Sequence, residues 1–183
     1  EEGKGGTMRR SIRALQLSLA ASLWAVILCG CASMPLPPDS PHEFVIAGDV
    51  REPDVWTAER IESTFADQIR VVEHRAKDRT FRLRALPLAA LIQHAGPMLD
   101  AEAKHPELAV AVAIEARDGY TVAFTLEEIA PYKAEPTILL AFAEADGPFP
   151  DDIAPARLII PGAQRSSRAL HAIRAIRVDD LRR

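Results

Sequence analysis

Cysteine is scarce in this 183-residue chain, which contains two, Cys29 and Cys31. Both precede residue 32, so the rest of the chain has no thiol for a disulfide, a redox pair or a cysteine metal site. The five histidines are scattered and include no pair spaced i, i+4, the pattern of a helical zinc site. Ser166 and Ser167 lack the Gly-x-Ser-x-Gly context of a nucleophile elbow. These absences argue against disulfide, zinc and serine-hydrolase chemistry.

Basic residues are also fewer than acidic residues in this chain. The chain has 22 Lys and Arg against 26 Asp and Glu, a formal charge of −4. Without residues 1–30, which hold four of the basic and two of the acidic residues, the counts become 18 and 24 and the charge −6. An acidic domain without a basic stripe binds nucleic acid poorly, so we expect no nucleic-acid function.

The N-terminal segment has a secretory pattern. Three arginines, the last of them Arg13, precede an apolar run of about 15 residues, as in a signal peptide. The run ends in Leu28–Cys31, which is similar to a bacterial lipobox. This pattern predicts a signal peptide over residues 1–30 and lipidation of Cys31. The alternative is a membrane-spanning helix, for which the run is short against the roughly 20 apolar residues that cross a bilayer.

The lipidation site implies both a location and a set of domain boundaries. We expect a lipid anchor in the bacterial cell envelope, facing the periplasm, and favour the outer membrane because Ala32 rather than aspartate follows the cysteine. Residues 1–7 precede Met8, where we place the true translation start. Residues 31–42 form a tether whose prolines favour an extended spacer, and residues 43–183 form a single folded domain.

Alternating apolar residues and turn signals predict most of the domain's strands. Leu108, Val110, Val112 and Ile114 are expected to share one buried face. Asp118-Gly119 then separates this run from the next as a two-residue hairpin turn. Further strands are predicted over residues 44–48, 69–73, 80–83, 137–142, 157–160 and 170–178.

Capping residues predict short helices between the strands. Thr57 is predicted to be an N-cap, and Thr125 is predicted to form a capping box with Glu128. Pro87 lies in the first turn of a helix that is predicted to begin at residues 86–92 and to end at Gly96-Pro97. We interpret the acidic pairs Asp151-Asp152 and Asp179-Asp180 as loop charges. Short strands mixed with short helices predict an α+β fold that is richer in strand.

Five segments, in chain order, resemble the oxidoreductase molybdopterin-binding domain of the sulfite-oxidase type. Ala116–Phe124 is similar to the Asp-Gly-Tyr hairpin of that family. The other four segments are Phe44–Val50, Leu86–Ile92 with Ala95-Gly96, Ile138–Gly147 and Pro155–Gly162. The chain resembles the short, single-domain members. The resemblance implies a strand-rich mixed sulfite-oxidase-like fold with short helices.

The resemblance also implies a molybdopterin cofactor, whose molybdenum is held in catalytic members by one protein cysteine, a soft thiolate. The corresponding stretch here, His74–Arg82, contains none. Asp78 lies near that place, and we interpret it as a solvated turn residue. We therefore expect no metal ligand, no catalytic residue and no resident cofactor. If molybdenum is bound nonetheless, Asp78 or Thr80 is the replacement ligand to test first.

In the family, residues that follow the Pro-Gly motif contact the pterin phosphate. The corresponding residues of this chain are Gln164–Arg168. By resemblance, Arg165, Ser167 and Arg168 are the candidate cofactor-binding residues, since arginines flanking serines suit a phosphate or carboxylate. The alternative, which we favour, is a charged surface turn, because exposed arginine is common.

Three functions are compatible with these patterns. The first is a non-catalytic envelope lipoprotein whose domain is a binding or accessory module for an envelope protein or a small anionic ligand. The second is a molybdopterin-dependent oxidoreductase with non-cysteine metal ligation, and the third is a purely structural envelope lipoprotein. We favour the first, because the thiol is missing and a fold alone does not carry chemistry. A deep pocket beside Arg165 and Arg168 would separate the first from the third.

Overall fold

The computed structural model describes residues 38–76, 79–130, 138–160 and 166–183. Cys31, the predicted signal peptide, Asp78 and Arg165 lie outside the described residues. The described residues form ten strands, β1 (Phe44–Gly48), β2 (Asp54–Trp56), β3 (Arg70–Ala76), β4 (Arg79–Pro87), β5 (Val110–Ala116), β6 (Thr121–Thr125), β7 (Leu139–Glu144), β8 (Gly147–Pro148), β9 (Arg157–Ile159) and β10 (Ile173–Asp180). The helices are α1 (Ala58–Thr64), α2 (Leu88–Ala95) and α3 (Leu126–Ile129), with 3₁₀ turns at Pro106–Ala109 and Ser166–Arg168.

The strands form two sheets. The first has the order β2-β1-β10-β5-β6, and the second has the order β3-β4-β7, with β8 and β9 both pairing with β7. The described strand pairs are antiparallel except β1 with β10, which run parallel with Val45 opposite Ala175. The beginning and the end of the domain therefore meet in the middle of the first sheet.

Gly48, the last residue of β1, lies directly against β10. Its φ of +102° is in the region that favours glycine, and a Cβ at this position would lie 2.2 Å from the carbonyl oxygen of Val178. The next residue uses the same oxygen, because the Asp49 amide donates to it at 2.6 Å. Only glycine allows the two strand ends to approach this closely.

The main core lies between the two sheets, together with the inner faces of α1 and α2. Phe44 and Ile46 of the first sheet belong to the same buried cluster as Leu140 and Phe142 of the second. Trp56 belongs to the same buried cluster, and its ring packs against His94 at a centroid distance of 5.4 Å. A smaller cluster covers the opposite face of the second sheet.

Several local predictions are confirmed. The hairpin turns at Asp118-Gly119, where Gly119 has a φ of +84° and the Ala116 amide donates to the Tyr120 carbonyl at 2.9 Å. Thr125 and Glu128 form the reciprocal capping box, and the Thr57 side chain accepts from the Arg60 amide. The prediction of a strand-rich α+β fold is correct.

Two predictions about proline-containing segments are wrong. Leu108 is not part of the buried strand face: it lies in a 3₁₀ turn that begins at Pro106, and it is 56% exposed. Proline favours a turn start because its φ is fixed and it has no amide proton. Pro87 is not inside a helix but is the last residue of β4, opposite Leu139, and α2 begins at Leu88.

The acidic pair near the C-terminus also differs from expectation. Asp179 and Asp180 belong to β10, and Asp180 is 5% exposed. Burial is possible because Arg182 donates to both carboxylate oxygens of Asp180, at 2.9 and 2.8 Å. A buried carboxylate with a paired arginine is satisfied, whereas an unpaired one is costly.

Candidate functional site

Arg168, one of the predicted cofactor-binding residues, is engaged by three groups of its own chain. Its Nη2 donates to the carbonyl oxygen of Ala123 at 2.7 Å. Its guanidinium also lies 3.3 Å from Oε1 of Glu128, and its Cζ is 3.9 Å from the ring centroid of Phe124. A carbonyl, a carboxylate and an aromatic face together satisfy this side chain.

The carboxylate that pairs with Arg168 also belongs to the capping box of α3. Backbone hydrogen bonding from Thr125 is the main reason that the pKa of Glu128 lies below its ordinary value, and Arg168 lowers this pKa further. The arginine therefore supports the β6–α3 corner. Its predicted contact with a cofactor stays a prediction.

Ser167 lies beside a small cavity. Its carbonyl oxygen accepts a hydrogen bond from the Tyr120 hydroxyl at 2.9 Å. The cavity has a volume of about 210 Å³ and is lined by Ala116, Asp118, Tyr120, Ser167, Ala169, Leu170 and His171. This volume is below the range of about 300–1,000 Å³ that is usual for small-molecule sites. The hairpin that carries the family resemblance is thus brought next to Ser167 and Arg168, at a site of modest size.

The described residues do not provide the protein ligand that the family resemblance implies for molybdenum. The chain has no cysteine after Cys31, so no thiolate of the folded domain can bind the metal. Among the described residues there is no group of three or more His, Cys, Asp and Glu that could hold a metal ion. Thr80, the alternative ligand, is exposed in β4 opposite Arg75. Both terminal nitrogens of Arg168 donate to groups of its own chain.

A pairing that the sequence did not suggest joins His74 of β3 to Arg157 of β9. The Nη2 of Arg157 lies 3.1 Å from the Nε2 of His74. Burial lowers the pKa of both side chains, and the charge of Arg157 lowers that of His74 further. A neutral imidazole that accepts from the guanidinium explains this geometry. Within the described part of the chain, the Nε of Arg157 is buried without a hydrogen-bond partner.

A second cavity lies between the end of α2, the 3₁₀ turn at Pro106–Ala109 and α3. Its volume is about 690 Å³, which is in the usual range for ligand sites. Among the described residues, the lining consists of Gln93, Pro97, Leu99, His105, Glu107, Leu126, Glu127 and Ala130. None of these residues was a candidate from the sequence, because they come from three separate segments without a recognisable motif.

Local structure holds the rim of this cavity in place. Gly96 ends α2 in the left-handed region, with a φ of +68°. The chain then pairs with the segment after β1, because the Met98 amide donates to the Asp49 carbonyl at 2.8 Å. On the opposite side, His105 has a φ of 56° and its Nδ1 lies 3.2 Å from Oε1 of Glu107.

None of the helices in the described part of the chain combines the length and the apolar character needed to cross a bilayer.

Comparison with known proteins shows the fold. No protein-family model matches the chain, and no curated protein matches it. The crystal structure of the sulfane dehydrogenase SoxCD from Paracoccus pantotrophus is similar, with a TM-score of 0.54 and 18% sequence identity. The similarity covers 77% of this chain and 39% of that chain, so this chain spans less than half of the length of its structural neighbour. The domain therefore has a mixed α+β, sulfite-oxidase-like fold, and at this identity the similarity carries no activity with it.

Proposed function

We propose that the chain is a lipid-anchored binding module of the bacterial cell envelope, which uses a sulfite-oxidase-like fold without molybdenum catalysis. The observation that carries the proposal is the cavity of about 690 Å³ beside α2 and α3, which has the size of a ligand site. This cavity is not the pocket expected beside Arg165 and Arg168, since Arg168 is not among its described lining residues. The proposed anchor rests on the Leu28–Cys31 sequence and the proline-rich tether that follows it.

The proposed lack of catalysis has two supports in the chain. The folded domain offers no thiolate to a metal. Arg168, at the position where the family resemblance implies a phosphate contact, is bound by Glu128 and the Ala123 carbonyl. A small anionic ligand at Arg165 and Arg168 would have to compete with Glu128 for the guanidinium of Arg168.

A molybdopterin-dependent oxidoreductase with non-cysteine ligation is the second candidate. The observation that favours it is the structural similarity to a sulfane dehydrogenase. Under this alternative Asp78 or Thr80 would have to replace the cysteine, and Glu128 would have to release Arg168.

Extraction of bound small molecules tests the binding function. The full chain is purified from its native envelope, denatured, and the released molecules are identified by mass spectrometry. A Leu99→Trp variant, whose larger indole would narrow the cavity, is processed in parallel. We expect an organic molecule that is enriched with the wild-type chain and recovered in smaller amount from the variant. Equal recovery from both chains, or none from either, would contradict a binding function of this cavity.

A further inference from the structure

The low positive charge of the whole chain conceals one basic element, the pair of strands β3 and β4. These two strands contain five arginines and one acidic residue, Glu73, which gives them a formal charge of +4. The rest of residues 43–183 contains 13 basic and 22 acidic residues, a formal charge of −9. Positive charge is therefore concentrated in a single element of an otherwise acidic domain.

Part of this strand pair has no third strand beside it. Among the described strands, β3 pairs only with β4, and β4 pairs with β7 only from Leu83 onward. Residues 73–76 and 79–82 therefore form a two-stranded ribbon at the edge of the second sheet. We refer to this part of the two strands as the basic ribbon.

Three exposed arginines, Arg75, Arg79 and Arg82, belong to the basic ribbon. Within the described part of the chain, none of the three forms an ion pair. By contrast, Arg84, the next arginine of β4, pairs with Glu62. Because side chains alternate along a strand, Arg75 and Arg82 lie on one face of the ribbon and Arg79 on the other. The ribbon thus carries unpaired positive charge on both of its faces.

The sign of this charge indicates a partner. Charge on an edge strand also protects the strand from pairing with other chains, a role in which either sign serves. In the basic ribbon the sign is positive apart from Glu73, although acidic residues predominate in the rest of the domain. Guanidinium groups match phosphate oxygens through two parallel hydrogen bonds. The ribbon therefore suits a surface that carries phosphate groups.

We infer that the basic ribbon docks on an anionic phospholipid surface, where Arg75, Arg79 and Arg82 contact lipid phosphates. The proposed lipid anchor keeps the domain near a bilayer, since residues 31–42 span at most about 40 Å when fully extended. An anionic surface attracts the ribbon and repels the rest of the domain, which orients the domain. A basic patch also strengthens membrane binding by a lipid chain. The inference rests on the proposed function in one respect, the location of the domain at a membrane.

Vesicle binding by the full chain with the Cys31→Ser substitution tests this docking without the lipid anchor. Co-sedimentation is compared between vesicles of phosphatidylcholine alone and vesicles of equal parts phosphatidylcholine and phosphatidylglycerol. At low ionic strength, the anionic vesicles are expected to bind about 100-fold more tightly, as three arginines near an anionic surface would give. Added salt should reduce this preference by screening the charges. Such contact is peripheral, so the Cys31→Ser chain is still expected to leave membranes in an alkaline carbonate wash.

Two triple variants of this chain assign the preference to the basic ribbon. The first replaces the three arginines of the ribbon, Arg75→Gln, Arg79→Gln and Arg82→Gln. It should bind both types of vesicle equally. The second removes the same charge from arginines outside the ribbon that have carboxylate partners, Arg174→Gln, Arg177→Gln and Arg183→Gln. It should keep most of the preference for anionic vesicles.

Removal of the acidic residue of the ribbon tests the opposite direction. Glu73→Gln should bind the anionic vesicles about fivefold more tightly, because one repulsive charge near the surface is lost. Its binding to phosphatidylcholine should stay unchanged. Circular dichroism and thermal unfolding check that each variant is folded.

The outcomes separate this inference from the proposed function. Absence of binding to anionic vesicles, or equal losses in the two triple variants, overturns the docking and leaves the proposed function intact. Equal and strong binding to both types of vesicle overturns the docking and also contradicts the lipid anchor, because the unacylated chain would then hold to bilayers by itself. Polyglutamate is tested in parallel: binding to polyglutamate without binding to anionic vesicles overturns the docking in favour of an acidic protein partner.

Discussion

Arg168 and Glu128 are joined across 40 residues of sequence, with the arginine Nη1 3.3 Å from Oε1 of the carboxylate. The same guanidinium covers the buried Phe124 ring. The residue that resembles a phosphate ligand is therefore part of the support of the β6–α3 corner, and its removal should act on stability.

Replacing Arg168 tests this role. Arg168→Ala should lower the free energy of unfolding by about 1 kcal/mol, the combined size of a partly exposed ion pair and a cation–π contact. Urea unfolding followed by circular dichroism measures the change. Arg177→Ala, which removes an arginine paired with Asp179 on the surface of β10, is the matched control and should change the stability by less. Equal effects of the two substitutions would show that Arg168 is an ordinary surface arginine.

Three glycines form a graded test of the contact between β1 and β10. Gly48→Ala should cost about 3 kcal/mol or more, because the new Cβ meets Val178 and the backbone has a positive φ. Gly119→Ala has the positive φ without any neighbour within 4 Å and should cost about 1 kcal/mol. Gly147 has neither a positive φ nor a neighbour within 4 Å of the added Cβ. The free energy of unfolding of Gly147→Ala should therefore stay within about 0.5 kcal/mol of the wild-type value. Thermal or denaturant unfolding measures the loss of stability in each of the three variants. A different order of these losses would contradict the packing of β1 against β10.

The stability of the domain should depend on the ionisation of Asp180. Hydrogen bonds from Arg182 lower the pKa of Asp180 from 3.8 to about 2. A carboxyl group whose pKa is lower in the folded state stabilises the fold above its unfolded pKa, and this contribution is lost as the pH falls from about 4 to about 2. Asp180→Asn should therefore flatten the dependence of unfolding free energy on pH in this window. Asp179→Asn, on the more exposed neighbour, is the control; an identical pH profile for the wild type and Asp180→Asn would refute the pairing.

Membrane attachment should depend on one of the two cysteines. Cys31→Ser should release the protein from membranes, because the cysteine is the proposed site of the lipid chains, each of whose buried methylenes contributes about 0.8 kcal/mol. Cys29→Ser removes the other thiol, keeps a small residue at that position, and should leave attachment intact. Fractionation with an alkaline carbonate wash measures the distribution. Retention of the Cys31→Ser variant in the membrane would favour a spanning helix instead.

Local sequence signals predicted the elements that depend on neighbouring residues. The Asp118-Gly119 turn and the Thr125–Glu128 capping box are correct because their hydrogen bonds join residues at most four positions apart. The apolar spacing that Leu108 shares with Val110 predicts a strand at Leu108, whereas the turn that begins at Pro106 decides its position. The order of five segments was sufficient to predict the sulfite-oxidase-like fold.

The candidate sites were less accessible to sequence reasoning. The His74–Arg157 contact joins residues 83 positions apart, and no motif marks either residue. The large cavity is formed where the end of α2 meets the 3₁₀ turn and α3, so its lining follows from tertiary packing alone. By resemblance, the position of Arg168 after a Pro-Gly motif indicates a possible ligand, and only the fold reveals its pairing with Glu128.

The central claim, a sulfite-oxidase-like fold used without molybdenum, is tested most directly by the metal content of the protein. The full chain is purified from its native envelope after growth with added molybdate, so that the metal is not limiting, and is analysed for molybdenum and for pterin. The domain has no thiolate to hold the metal, so we expect far less than one molybdenum per chain. A value close to one molybdenum per chain, accompanied by pterin, would contradict the account and make Asp78 and Thr80 the first residues to replace.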